Sequence, residues 1–183
     1  MNTITKVVST VTALLVTGAG LAVAAPASSA TPIVRKTTYS GVAVITLDKS
    51  LKKISKAIVV VPPAKKDGNH LSFPVVGVEG NGIMLAGGTR AGTNPVITTK
   101  DDGTATMTIS VGGRSVEILT ITGWNMRDTS KKGKITKQRW SGDVHLTRNQ
   151  IVVDTMNAGF GKPIFQAGQA FGEIDVTIKL TRG

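Results

Sequence analysis

The stretch Thr104–Thr122, TATMTISVGGRSVEILTIT, decides the fold class. Its first half alternates apolar and polar residues through Met107 and Ile109, which is the period of a half-buried strand. Gly112-Gly113 then supplies the two residues tolerant of positive φ that a two-residue hairpin turn needs. The chain returns over Arg114–Thr122 in a second β-rich run, apolar on both faces at Val116, Ile118, Leu119 and Ile121. A strand of that kind belongs in the middle of a sheet.

The same grammar extends in both directions. Downstream, Lys134–Trp140, Val144–Leu146 and Ile151–Val153 read as strands, and Thr155–Phe171 holds a short helix around Met156–Phe160. Glu173–Leu180 sets Ile174, Val176, Ile178 and Leu180 on one face against charged and polar residues, as an edge or one-face-solvated strand does. Upstream, Gly41–Leu47 is a strand, after which Leu47, Leu51 and Ile54 switch to helical spacing behind Asp48 as a cap. Ile58–Val61, the alternating Leu71, Phe73 and Val75, and Ile83–Ala86 after the turn Glu79–Gly82 complete the series. Short runs separated by Gly, Asn, Asp and Pro predict a mainly β protein, an antiparallel sandwich or barrel-like domain with one or two short helices.

The first thirty residues stand apart from this pattern. Lys6 precedes an apolar, uncharged stretch from Val7 to Ala25, and Ser28-Ser29-Ala30 is a small-residue cleavage site, so residues 1–30 read as an export signal. Residues 31–183 then form a single β-rich domain, secreted or associated with the cell envelope, with no membrane span left after cleavage. There is no cysteine. That removes disulfides, thiolate metal sites and a cysteine nucleophile, and leaves the core to hold the fold alone.

Charge points to the partner. The chain carries a net +11, and the leader accounts for a single lysine of it. Such a balance favours an anionic envelope polymer or an acidic protein partner. Nucleic acid fits poorly, because no basic, aromatic-interleaved reader motif is present. The densest cationic segment is Arg127, Lys131, Lys132, Lys134, Lys137 and Arg139, around a turn-like centre Asp128–Gly133 and against the single acid Asp128. These six residues are the candidate anion-binding site, flanked by Trp124 and Trp140. Lys52, Lys53, Lys56, Lys65 and Lys66 form a second basic group.

Catalytic and metal signatures are missing from the sequence. His70 and His145 are isolated, there is no H-E-x-x-H and no G-x-S-x-G, and Asp101-Asp102 lacks the further oxygens of a calcium loop. The reading is a non-enzymatic binding domain with no metal. A wall-polymer hydrolase using an unrecognised carboxylate pair is the alternative from a different class.

Several segments resemble a group of actinobacterial exported proteins related to the HtaA-type haem-transport domain. They are Gly41–Leu51 (GVAVITLDKSL), Leu71–Gly77 (LSFPVVG), Gly113–Thr122 (GRSVEILTIT), Met156-Asn157, Phe160-Gly161, Phe165–Gly168 and Gly172. The resemblance implies a β-rich fold, export, and haem bound through a tyrosine with a nearby histidine. Tyr39 is the one tyrosine, and with His70 it becomes the haem candidate. Where the family often carries His-Gly-Gly, this chain reads Gly87–Gly92, GGTRAG, with no histidine.

Overall fold

The computed structural model of the protein describes residues 37–183, apart from the side chains of Lys52 and Lys53; the expected leader, residues 1–30, lies outside the described residues. The described residues form eleven strands: β1 (Thr37–Leu47), β2 (Val60–Val61), β3 (Lys65–Asp67), β4 (His70–Glu79), β5 (Gly82–Leu85), β6 (Gly88–Thr89), β7 (Gly92–Thr99), β8 (Ala105–Val111), β9 (Arg114–Lys132), β10 (Ile135–Leu146) and β11 (Ala170–Arg182). A 3-10 turn at Lys49–Leu51 runs into the short helix α1 (Lys52–Ser55), and α2 (Gln150–Phe160) bridges β10 and β11. The order β7-β5-β4-β1-β11-β10-β9-β8 returns to β7, so eight antiparallel strands close into a barrel. Closure leaves no edge within the ring.

The alternation read from the sequence is the alternation of the barrel wall. Ala43, Ile45 and Leu47 of β1, Leu71, Phe73 and Val75 of β4, and Ile174, Val176 and Ile178 of β11 all point inward and are buried. Intervening residues face water. The Gly112-Gly113 turn joins β8 to β9 with φ of 56° and 79°, as the hairpin requires. The first half of β9 lies between β8 and β10, in the middle of the sheet. The strand Glu173–Leu180 is solvated on one face but is not an edge, because β1 and β10 flank it.

Two glycines set how closely β1 and β11 approach. Gly41 has φ of 150° and Gly172 of 149°. A Cβ on Gly41 would collide with the Thr177 carbonyl oxygen, and one on Gly172 with the Thr46 carbonyl oxygen.

Three local expectations are corrected. The expected strand Ile151–Val153 is the first turn of α2, because the Asn149 side chain accepts from the Ile151 N–H at 3.1 Å and Gly161, at φ 68°, ends the helix. These caps and the burial of Val153 outweigh the strand preference of a β-branched run. The two strands expected at Lys134–Trp140 and Val144–Leu146 are one, with a bulge at Ser141–Asp143 instead of a turn. The turn expected over Asp128–Gly133 shrinks to Gly133-Lys134, since β9 continues to Lys132.

Candidate functional site

The barrel ends differ. At one end Trp124 stacks on Trp140, with ring centroids 5.5 Å apart and planes 18° from parallel. Trp124 is buried and donates its indole N–H to Thr99 Oγ1 at 3.0 Å, while the Trp140 N–H is buried with no partner among the described residues. The two tryptophans therefore close that end from inside instead of framing an outer binding face. The other end is hollow.

There a cavity of about 690 Å³ opens between the barrel interior and α2. That is within the roughly 300–1,000 Å³ of small-molecule sites. Ile45, Leu71, Met107, Ile109 and Leu119 line it from the barrel, Val152, Met156 and Gly159 from the helix, and Ala57, Ile58 and Val59 from the segment after α1. All four phenylalanines of the chain, Phe73, Phe160, Phe165 and Phe171, belong to the lining. Phe165 meets Phe160 edge-on at 5.4 Å and Phe171 at 6.5 Å, which carries an aromatic wall from the helix onto the barrel.

Two tethers hold the cavity walls. Asn157, on the inner face of α2, accepts from the Ile164 and Phe165 N–H groups, both at 2.8 Å, and donates to the Phe165 carbonyl at 2.9 Å. This pins the loop that follows the helix and sets the Phe165 ring. On the opposite wall the Lys66 ammonium donates to the carbonyls of Ser55 and of Ile58, the latter at 3.2 Å, and ties the segment after α1 to β3. One member of the second basic group is thus a structural cation.

The lining is apolar with one exception in charge. Among the described residues around the cavity Arg90 is the one ionisable side chain, and it sits exposed in the link between β6 and β7. The Arg90 backbone N–H donates to the Val59 carbonyl at 3.3 Å, which sets the two residues side by side in the lining.

The residues predicted from sequence fall elsewhere. Tyr39, near the start of β1 and paired with Leu180, is half-buried against the core at the tryptophan end. His70 lies across from Thr46, bonded to its hydroxyl at 3.0 Å on the exposed face. Seven residues of strand, roughly 23 Å, separate Tyr39 from Thr46. The structure therefore does not bring Tyr39 and His70 together, and neither lines the cavity. His145 faces the Thr122 hydroxyl at 3.3 Å on a strand flank. A haem-type group would find room and an aromatic surface here, but no phenol or imidazole within the lining to meet its iron.

The cations are partly brought together. Lys132, Lys137 and Arg139 lie on the outer face of the β9–β10 ribbon, where Lys137 is also paired with Lys179 of β11. Arg127 joins them through a bond from Nε to Ser141 Oγ. Lys131 stands on the other face and Lys134 in the turn. Asp101-Asp102 is a plain turn. The Thr104 hydroxyl and then its N–H bond the Asp102 carboxylate and hold it below the usual carboxylate range. Among the described residues no cluster of three potential metal ligands occurs.

No protein-family model and no curated protein matches the sequence. Solved structures do match the fold. The haem-binding protein HtaB of Corynebacterium glutamicum superposes with a TM-score of 0.56 at 16% identity, over 81% of this chain and 97% of that one. The C-terminal domain of HtaA from the same organism gives 0.48 at 13% identity, over 80% and 99%. The chain is similar to HtaB in fold, as the short sequence segments implied.

Proposed function

We propose that this protein is a non-enzymatic carrier of the secreted or envelope compartment that holds a haem-sized apolar ligand in the cavity between its barrel and α2. The observation that carries the reading is the cavity itself, large, walled by four phenylalanines and aliphatic side chains, and open at one end of an otherwise filled barrel. Eight-stranded barrels have an interior just wide enough to be filled by side chains or to hold one small ligand. The likeness in fold to a protein described as haem-binding supports haem as the first ligand to try.

Titration of the protein with haem is expected to give saturable one-to-one binding and a shifted Soret band. Gly159 provides the control for the site. It lines the cavity from α2, and a Cβ there meets open space. Gly159→Leu should weaken binding by about tenfold or more, since filling volume displaces ligand contacts. The same change should raise Tm by about 1–4 °C, because glycine is a poor residue in a helix interior. A flat titration of the unmodified protein would remove the reading.

A second reading rests on the outer face of the β9–β10 ribbon, where Arg127, Lys132, Lys137, Arg139 and Lys179 gather. This surface suits an anionic envelope polymer that tethers the carrier. Retention on isolated cell wall at low salt, declining as salt is raised and lost in Lys137→Glu/Arg139→Glu, is the expected result. Absence of retention at low salt would dismiss it.

A further inference from the structure

The polar side chains around the cavity are engaged, with one exception. Thr89 Oγ1 accepts from the Ala91 N–H at 3.2 Å, and Thr155 Oγ1 donates to the Ile151 carbonyl at 2.8 Å. The Arg90 guanidinium has no hydrogen-bond or ion-pair partner among the described residues. Around it the mouth carries apolar side chains left open to water. Val59 is 43% exposed, Val111 43% and Ile151 77%, three of the large hydrophobics left open among the described residues.

An unpaired guanidinium beside an open apolar rim, above a deep apolar cavity, is complementary to an amphiphile with an acidic head. A carboxylate is an acidic head group whose two oxygens match the guanidinium fork. The body would cover Val59, Val111 and Ile151 and reach the phenylalanines. A bond to a metal has no comparable support. Tyr39, His70 and His145 lie outside the lining, whose side-chain donors besides Arg90 are the soft thioethers of Met107 and Met156 and the hydroxyls of Thr89 and Thr155, both already hydrogen-bonded.

We propose that the cavity takes its ligand by a carboxylate on Arg90 and an apolar body against the phenylalanines, with no bond from the protein to a metal. The inference rests on the carrier reading above and narrows it to carboxylate-bearing amphiphiles. Porphyrin acids and long-chain fatty acids share that chemistry.

The test is a set of titrations of the protein with protoporphyrin, its iron complex, the dimethyl ester of the porphyrin, and a long-chain fatty acid as competitor. The free acid and its iron complex are expected to bind within about threefold of each other, and the ester at least about tenfold more weakly, the difference one charge-assisted pair makes. Arg90→Gln should lower the affinity of both acids by about tenfold and leave the ester unchanged, with Arg90→Lys recovering part of the loss. Arg90 is exposed and without a side-chain partner, so both variants should keep the Tm of the parent. Displacement of the porphyrin by the fatty acid, lost in Arg90→Gln, would identify a simple lipid acid as the source; binding of the porphyrin acids without displacement would identify a porphyrin. Unchanged affinity in Arg90→Gln overturns the inference. So does an iron complex that binds about tenfold or more tightly than the metal-free acid, a result that leaves the carrier reading standing. Failure of all four ligands overturns both.

Discussion

Gly172→Ala is expected to lower the unfolding free energy by about 3–4 kcal/mol, from strain in a glycine-only region of backbone space plus the separation of a strand pair. The residue sits at φ 149°, opposite Leu47 in the β1–β11 ladder. A methyl group there would run into the Thr46 carbonyl oxygen, which belongs to backbone and cannot swing aside. The strands must part or the dihedral must change, and either breaks neighbouring ladder bonds. Against a total stability of roughly 5–15 kcal/mol the loss is large. Urea denaturation measures it, with Gly159→Ala as the opposite control, since that glycine lies in a helix with open space at its Cβ. Equal midpoints for parent and Gly172→Ala would contradict the described approach of β1 and β11.

Asn157→Ala should cost about 2–4 kcal/mol, because it leaves two amides and a carbonyl without the partners they had in a half-buried site. The amides are those of Ile164 and Phe165 and the carbonyl that of Phe165. Asn157→Asp keeps the acceptors and loses the donor, so about half the loss is expected there. Hydrogen exchange gives the specific readout: the Ile164 and Phe165 amides should be protected in the parent and exchange rapidly in Asn157→Ala. Protection that persists in the variant would remove the tether from the account. Release of this loop also frees the Phe165 ring, so affinity for the ligand proposed above should fall alongside stability.

The parts of the fold legible in the sequence were those in which a local pattern and its tertiary use agree. Met107 and Ile109 alternate because alternate residues face the barrel interior, and Gly112-Gly113 marks a turn that needs positive φ at both places. Strand β7 went unread because Asn94 and Pro95 interrupt it. The start of helix α2 reads as strand because three β-branched residues stand in a row, although Asn149 and Gly161 are cap residues in plain view. The cavity was not legible at all. Its walls come from residues as far apart as Ile45 and Phe171, each indistinguishable in sequence from an ordinary core residue. What makes them a site is a shortage of side-chain volume at one end of the barrel, a property of the assembled ring and not of any segment. Arg90 lies in the Gly87–Gly92 stretch, where the sequence draws attention to a missing histidine and not to the arginine, and its place in the lining beside Val59 is what singles it out. The basic cluster was visible as composition, but its division between two faces of a ribbon depended on the register of β9 against β10.

The pairing of β1 with β11 also governs how a growing chain can reach this structure. The other neighbours in the ring lie near one another in sequence, whereas this seam joins Thr37–Leu47 to residues more than a hundred positions later. A nascent polypeptide that has emerged as far as β10 holds an open sheet with one flank of β1 and one flank of β10 bare, the kind of surface that chaperones cover and aggregates exploit. The thirteen residues of β11 act as a keystone, bonded on both sides at once when they arrive. Because so distant a closure is slow, the ring is set only once β11 has joined, and every earlier stage carries the two bare flanks.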